Sequence, residues 1–184
     1  MKKTTAGRGS PPLVTLALLL AGGSALSSQG TPKPKPSFGL YVSGAKPMGD
    51  WADLVGFGFG AGGFWQTPFK AEKLSGRVSA DYILYSGKDY FGITTKSNQM
   101  GASFDALYDL SGQFYVFSGV GFYRTEETVT IKFLDMSFSE SSSDSDVGIG
   151  VGAGMKFVKQ FGLEAKYLAI NNASRLQVSL LWRF

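Results

Sequence analysis

From residue 38 to the final residue, segment after segment of this chain alternates in polarity with a period of two. Successive side chains of an extended strand point to opposite faces, so a sustained two-residue period commits a chain to β-sheet. The last ten residues are the clearest case. Leu176, Val178, Leu180, Trp182 and Phe184 share one face, while Arg175, Gln177, Ser179 and Arg183 share the other, with Leu181 the exception.

The pattern recurs upstream. Met100, Ala102, Phe104, Ala106, Tyr108 and Leu110 alternate with Gly101, Ser103, Asp105 and Asp109, Leu107 falling among the polar set. Val78, Ala80, Tyr82 and Leu84 oppose Ser75, Arg77, Ser79 and Asp81. Phe161, Leu163, Ala165 and Tyr167 oppose Gly162, Glu164 and Lys166. In two segments glycine replaces the polar set. Val55, Phe57, Phe59, Ala61 and Trp65 alternate with Gly56, Gly58, Gly60 and Gly62. Val147, Ile149, Val151, Ala153, Met155 and Phe157 alternate with Gly148, Gly150, Gly152 and Gly154, ending at Lys156. A strand with one glycine face suits a crowded interior or a sharp bend. Residues 38–45 and 114–126 complete the set, although Tyr115, Phe117 and Tyr123 oppose Phe114, Val116, Val120 and Phe122, so the faces of 114–126 are not decided by polarity.

These segments predict about eight strands, each roughly 9–13 residues long, enough to cross a bilayer when tilted. The connections at 67–73, 111–113 and 159–160 read as short turns, and those at 46–54, 87–97 and 128–146 as longer loops. Short turns at one end and long loops at the other are the habit of outer-membrane barrels. The brief 171–173 connection departs from it.

Which face looks inward separates a membrane barrel from a soluble one. A soluble barrel turns its apolar residues in; lipid, which offers no partner to an unpaired amide, demands a closed sheet with apolar residues out. The polar faces carry Arg77, Asp81, Asp105, Asp109, Lys156, Glu164, Lys166, Arg175 and Arg183, five bases against four acids. Near balance permits an enclosed network of ion pairs that plugs the lumen. Periodicity alone does not choose between the two orientations.

The N-terminus, the high aromatic content of 14% and the C-terminus together tip the choice toward the membrane. Lys2, Lys3 and Arg8 precede an apolar run at 13–21 and the small residues Gly22, Gly23, Ser24 and Ala25. That order marks a secretory signal peptide over 1–25, too short in its apolar part for a spanning helix. Residues 26–37, with prolines at 32, 34 and 36, read as an extended Pro/Lys-rich periplasmic leader. The formal charge of +4 is misleading, because three bases lie in the signal. The remainder is near neutral, which removes the case for a nucleic-acid partner.

The C-terminal run of Leu176, Val178, Leu180, Trp182 and terminal Phe184 resembles the strand signal that the barrel-assembly machinery reads in outer-membrane proteins. Gly119-Val120-Gly121-Phe122-Tyr123-Arg124 and residues 148–156 resemble the outer-membrane protein β-barrel domain family, small barrels related to that of outer-membrane protein A. The resemblance covers residues 38–184. It implies an all-β fold, a single closed antiparallel up-and-down transmembrane β-barrel, with outer-membrane lipids as surroundings and the assembly machinery as a partner during insertion.

Cysteine and histidine are absent. A serine nucleophile would lack imidazole as its base, and no thiolate or imidazole metal site can form. Ser137 to Asp146 reads as an acidic external loop. Its Glu140, Asp144 and Asp146 do not have the spacing of a calcium loop. Trp51, Trp65 and Trp182 read as members of aromatic girdles. The sequence therefore predicts a barrel with no enzymatic activity, cofactor or metal, having a structural or surface-interaction role, and it names no extracellular partner. Two alternatives stay open: a narrow transporter or channel for small hydrophobic molecules, using the space beside the glycines, and a soluble periplasmic lipid-binding barrel.

Overall fold

The structure, a computed structural model, describes residues 35–90, 93–133, 136–171 and 173–184. The expected signal peptide and all but the end of the expected leader lie outside the described residues. Eight strands follow: β1 (Ser37–Pro47), β2 (Val55–Pro68), β3 (Leu74–Tyr90), β4 (Ile93–Ser111), β5 (Phe114–Phe133), β6 (Met136–Lys156), β7 (Phe161–Ile170) and β8 (Arg175–Arg183), with one helical turn, α1 (Trp51–Leu54), between β1 and β2. Each strand pairs antiparallel with its neighbour in sequence. The sheet closes where β1 meets β8, in register from Gly39 opposite Arg183 to Pro47 opposite Arg175. Phe184 adds a last rung by donating its N–H to the carbonyl of Phe38 at 2.9 Å.

The alternation sorts as the membrane orientation requires. On β8 the exposure strictly alternates, with Arg175, Gln177, Ser179, Leu181 and Arg183 buried in the lumen. Leu176, Val178, Leu180, Trp182 and Phe184 are exposed outward. A soluble lipid-binding barrel requires the reverse arrangement. The two apolar residues that broke the sequence pattern, Leu107 and Leu181, are both buried inside. On β4 the outward apolar residues run from Leu110 to Met100, roughly 33 Å of strand and about 25 Å of height at a tilt of about 40°.

Three sequence expectations are corrected. Residues 87–97 and 128–146 are not loops: β3, β4, β5 and β6 continue through almost all of them. Ser137 to Asp146 is likewise strand, paired residue for residue with β5 from Lys132 opposite Ser137 to Tyr123 opposite Asp146. Strand formation needs a ladder partner, and alternating Ser and Thr side chains meet that need as well as apolar ones. Val55 also turns inward, because a register shift between Val55 and Gly58 breaks the alternation there.

The result is a barrel with an uneven rim. β7 ends at Ile170, opposite Gly148 of β6. Beyond that point residues 136–147 of β6 continue for roughly 35–40 Å with β5 as their sole described strand partner.

Candidate functional site

Inside the barrel the inward residues of several strands meet in layers. At its centre Arg77 of β3 reaches two carboxylates. Its guanidinium bonds Glu164 of β7 across the barrel and Asp105 of β4 at 3.2 Å. Lys166 of β7 meets the other oxygen of Asp105 at 3.0 Å. Two bases and two acids thus make one neutral layer. Asp105 is fully buried, so the charges compensate each other rather than being screened by water.

Toward the loop end, Arg175 of β8, 1% exposed, pairs with Asp81 of β3 and bonds the carbonyl oxygen of Gln99. Gln99 in turn donates to Thr125 of β5 at 2.9 Å. Toward the turn end, the Tyr115 hydroxyl donates to Glu164 at 2.6 Å and accepts from Arg183 at 3.1 Å. Lys156 pairs with Asp109 at 2.8 Å. The structure therefore joins eight of the nine sequence-predicted lumen residues in ion pairs. Arg183 is the exception, reaching no described carboxylate and meeting a phenol instead.

Sequence reasoning missed the aromatic part of this filling. Tyr115, Phe117 and Tyr123 of β5 all turn inward and are nearly fully buried. The Phe117 ring lies 4.8 Å from the Arg77 guanidinium carbon, a cation–π contact on the central layer. The signal was in the neighbouring strand. Tyr115 lies opposite Gly154 and Phe117 opposite Gly152. A Cβ on Gly154 would sit 2.2 Å from Tyr115 Cζ, and one on Gly152 2.4 Å from Phe117 Cζ. The glycine face of β6 does not leave space; the rings of β5 occupy it. Tyr41 fills the equivalent position beside Gly62, 2.4 Å from the Cβ that glycine lacks. A cavity lined by Arg77, Ser79, Asp105 and Lys166 of the central layer measures about 20 Å³, room for about one water.

The mouth is packed differently. Gly49 takes a positive φ of 65° and α1 folds inward, so that Trp51 is 2% exposed. Its ring meets Tyr85 edge-on at 4.6 Å, and its indole N–H donates to Glu127 of β5 at 3.0 Å. Ile83, Leu168 and Ile170 continue this apolar cluster beneath it. Trp51 is thus no girdle residue. Trp65 and Trp182 do face outward, Trp182 stacked on Phe161 with ring centroids 6.3 Å apart.

A family model of the outer membrane protein β-barrel domain matches residues 14–184. The chain belongs to this family. Among solved structures the barrel is similar to Ail, the attachment invasion locus protein of Yersinia pestis, at 13% identity over 83% of this chain and 99% of that one, with a TM-score of 0.63. It also resembles the N-terminal barrel of Pseudomonas aeruginosa OprF, at 13% identity over 82% and 98% with a TM-score of 0.52. Neisserial surface protein A matches at 15% identity over 81% and 97%, again with a TM-score of 0.52. At such identities the likeness is one of fold. No curated protein sequence matches the chain.

Proposed function

We infer that this chain is exported by its N-terminal segment, inserted through its C-terminal strand, and serves in the outer membrane as a sealed, non-catalytic barrel that holds its tall strands outside the cell for surface interaction. The observation supporting this reading is the packing inside the barrel: Arg77 bridges opposite walls, and Trp51 is buried against the apolar cluster at the mouth. An arrangement with so little internal space favours support over transport. Export is supported by the order of charged, apolar and small residues at 1–25. Insertion is supported by the outward apolar row ending at Phe184. The loop end is assigned to the exterior because it carries the longer excursions while the short turns and both strand termini share the opposite end.

Polyanion binding does not carry over easily from the fold. Ail has been crystallised with the heparin analogue sucrose octasulfate. Here the loop-end residues 46–53, 86–99, 124–146 and 171–174 hold nine acids against five bases, which repels sulfate-rich ligands.

Planar-bilayer recording tests the sealed lumen. The full-length protein extracted from membranes is expected to give no steady ohmic conductance, whereas Arg77→Ala, which removes the bar between β3 and β7, is expected to give a leak. Steady single-channel currents from the unmodified protein would overturn the reading.

A further inference from the structure

Near its turn end β6 reveals which way its backbone points. The N–H of Lys156 donates to Gln113, just before β5, at 2.8 Å, while that of Phe157 donates to Phe161 of β7 at 3.1 Å. Backbone polar groups alternate sides along an antiparallel strand, and the register with β5 runs unbroken from Phe114 to Phe133. Even-numbered residues of β6 therefore address β5, and odd-numbered ones the side where β7 lies. Above Gly148, β7 is gone. The odd residues there are Ser137, Ser139, Ser141, Ser143 and Ser145, and their amides and carbonyls face no described strand. The Ser145 amide is taken by the carboxylate of Asp144 at 2.9 Å. An open edge of this length is ordinarily protected by charge, proline or a bulge; described residues 137–146 have no lysine, proline or bulge, and their only charges are the acids Glu140, Asp144 and Asp146.

The two faces beside this edge differ in chemistry. The odd serines point outward and spend their hydroxyls on β5: Ser141 bonds Thr128 at 3.0 Å, Ser139 bonds Thr130 at 3.0 Å, and Ser143 accepts from Arg124 at 3.2 Å. Glu140, Asp144 and Asp146 take the inward-facing positions. Asp144 and Asp146 line a cavity of about 250 Å³ with Glu127, Thr125, Ser142 and Asn171. None of these three carboxylates has a described basic partner.

We propose that the edge of β6 from Ser137 to Ser145 is a docking site for an extended, basic segment of a partner protein, which adds a strand there and places a Lys or Arg in the carboxylate-lined cavity. This rests on the outward orientation inferred above. Main-chain bonds to the odd serines supply the pairing, and the alternation of the added strand supplies the selectivity. Basic residues face Glu140, Asp144 and Asp146 on one side, and small or hydroxyl residues lie beside the serines on the other. A second copy of this chain is a poor occupant, because pairing β6 with β6 sets acid against acid across the strands.

The test uses the full-length protein in detergent and two synthetic peptides, one alternating Lys with Thr and one alternating Glu with Thr. The Lys peptide is expected to slow amide exchange at Ser139, Ser141 and Ser143 by about tenfold or more, and the Glu peptide to leave it unchanged. Ser141→Pro removes an edge amide without touching the ladder to β5 and should weaken binding about tenfold or more, while Ser141→Ala should retain it. Replacing Glu127, Asp144 and Asp146 by their amides should likewise weaken the Lys peptide. Equal binding of both peptides, undiminished binding by Ser141→Pro, or protection confined to other strands would overturn the proposal. Whole-cell labelling of Ser143→Cys with a membrane-impermeant maleimide separates the two levels. Without labelling, the outward orientation itself fails; labelling without peptide protection refutes only the docking site.

Discussion

Replacing Asp105 by Asn should be among the most damaging single changes in the lumen, although it alters few atoms. Asp105 is fully buried and holds Lys166 at 3.0 Å and Arg77 at 3.2 Å. The amide leaves that layer with two bases and only Glu164 to balance them. An uncompensated buried charge of this kind costs about 3–5 kcal/mol. With a urea slope of about 2 kcal/mol per molar, that loss lowers the unfolding midpoint by roughly 1.5–2.5 M. Urea titration in micelles, followed by tryptophan fluorescence and by heat-dependent gel mobility, reads the shift. The second half of the cycle is the sharper one. Adding Lys166→Met restores one base to one acid, so the double variant should regain more than half of the loss, as replacement of a whole buried pair by apolar groups is often neutral. If Asp105→Asn costs less than about 1 kcal/mol, or if the double variant is no better than the single one, the layer is not held by charge balance.

Two further outcomes follow from the packing. Gly154→Val drives a side chain into the Tyr115 ring, 2.2 Å from the Cβ position, and should cost about 1–3 kcal/mol or more in the same urea assay; Gly112→Ala, where nothing lies within 4 Å, is the neutral control. In a variant with Trp65→Phe and Trp182→Phe, the remaining Trp51 should resist quenching by acrylamide and by brominated lipid alike, since it is enclosed by Tyr85 and Glu127. Quenching by brominated lipid would return it to the girdle.

The lower two-thirds of the barrel was legible because lipid imposes one rule on every outward position. Apolar residues at alternate places on β3, β4, β7 and β8 fixed both the strands and their faces, and the polar remainder supplied the ion-pairing residues. Partners within that set were not legible. Arg77 meets Glu164 across the barrel, a contact fixed by closure and stagger, which no local pattern records. The inward face of β5 was hidden for another reason: its Tyr115 and Phe117 are as apolar as the outward Phe114 and Val116, and only their placement opposite Gly154 and Gly152 on β6 distinguishes them. Trp51 was misread because a one-turn helix depends on what lies beneath it, here Tyr85 and the apolar mouth.

The remaining error, taking the upper halves of β5 and β6 for loop, marks the membrane rather than the end of the sheet. In one register row Ala80, Ala102, Phe122 and Val147 face outward on β3 to β6; in the next, Tyr82 and Met100 are joined by Arg124 and Ser145; in the next, Leu84 is joined by Asn98, Glu126 and Ser143. The outward residues thus change from apolar to polar over two rows while the ladder continues without a break between β5 and β6. Apolar alternation stops where acyl chains stop, because only lipid required it. The period of two does not stop: Thr128 and Thr130 answer Ser141 and Ser139 at 3.0 Å each, a cross-strand pairing that water permits. On the inward side the alternating residues become Asp146, Asp144 and Glu140. A stretch built only to connect two strands has no reason to keep such strict order over its whole length. Two faces of distinct chemistry and a consistently serine edge are instead what a strand needs when its neighbour is supplied from outside.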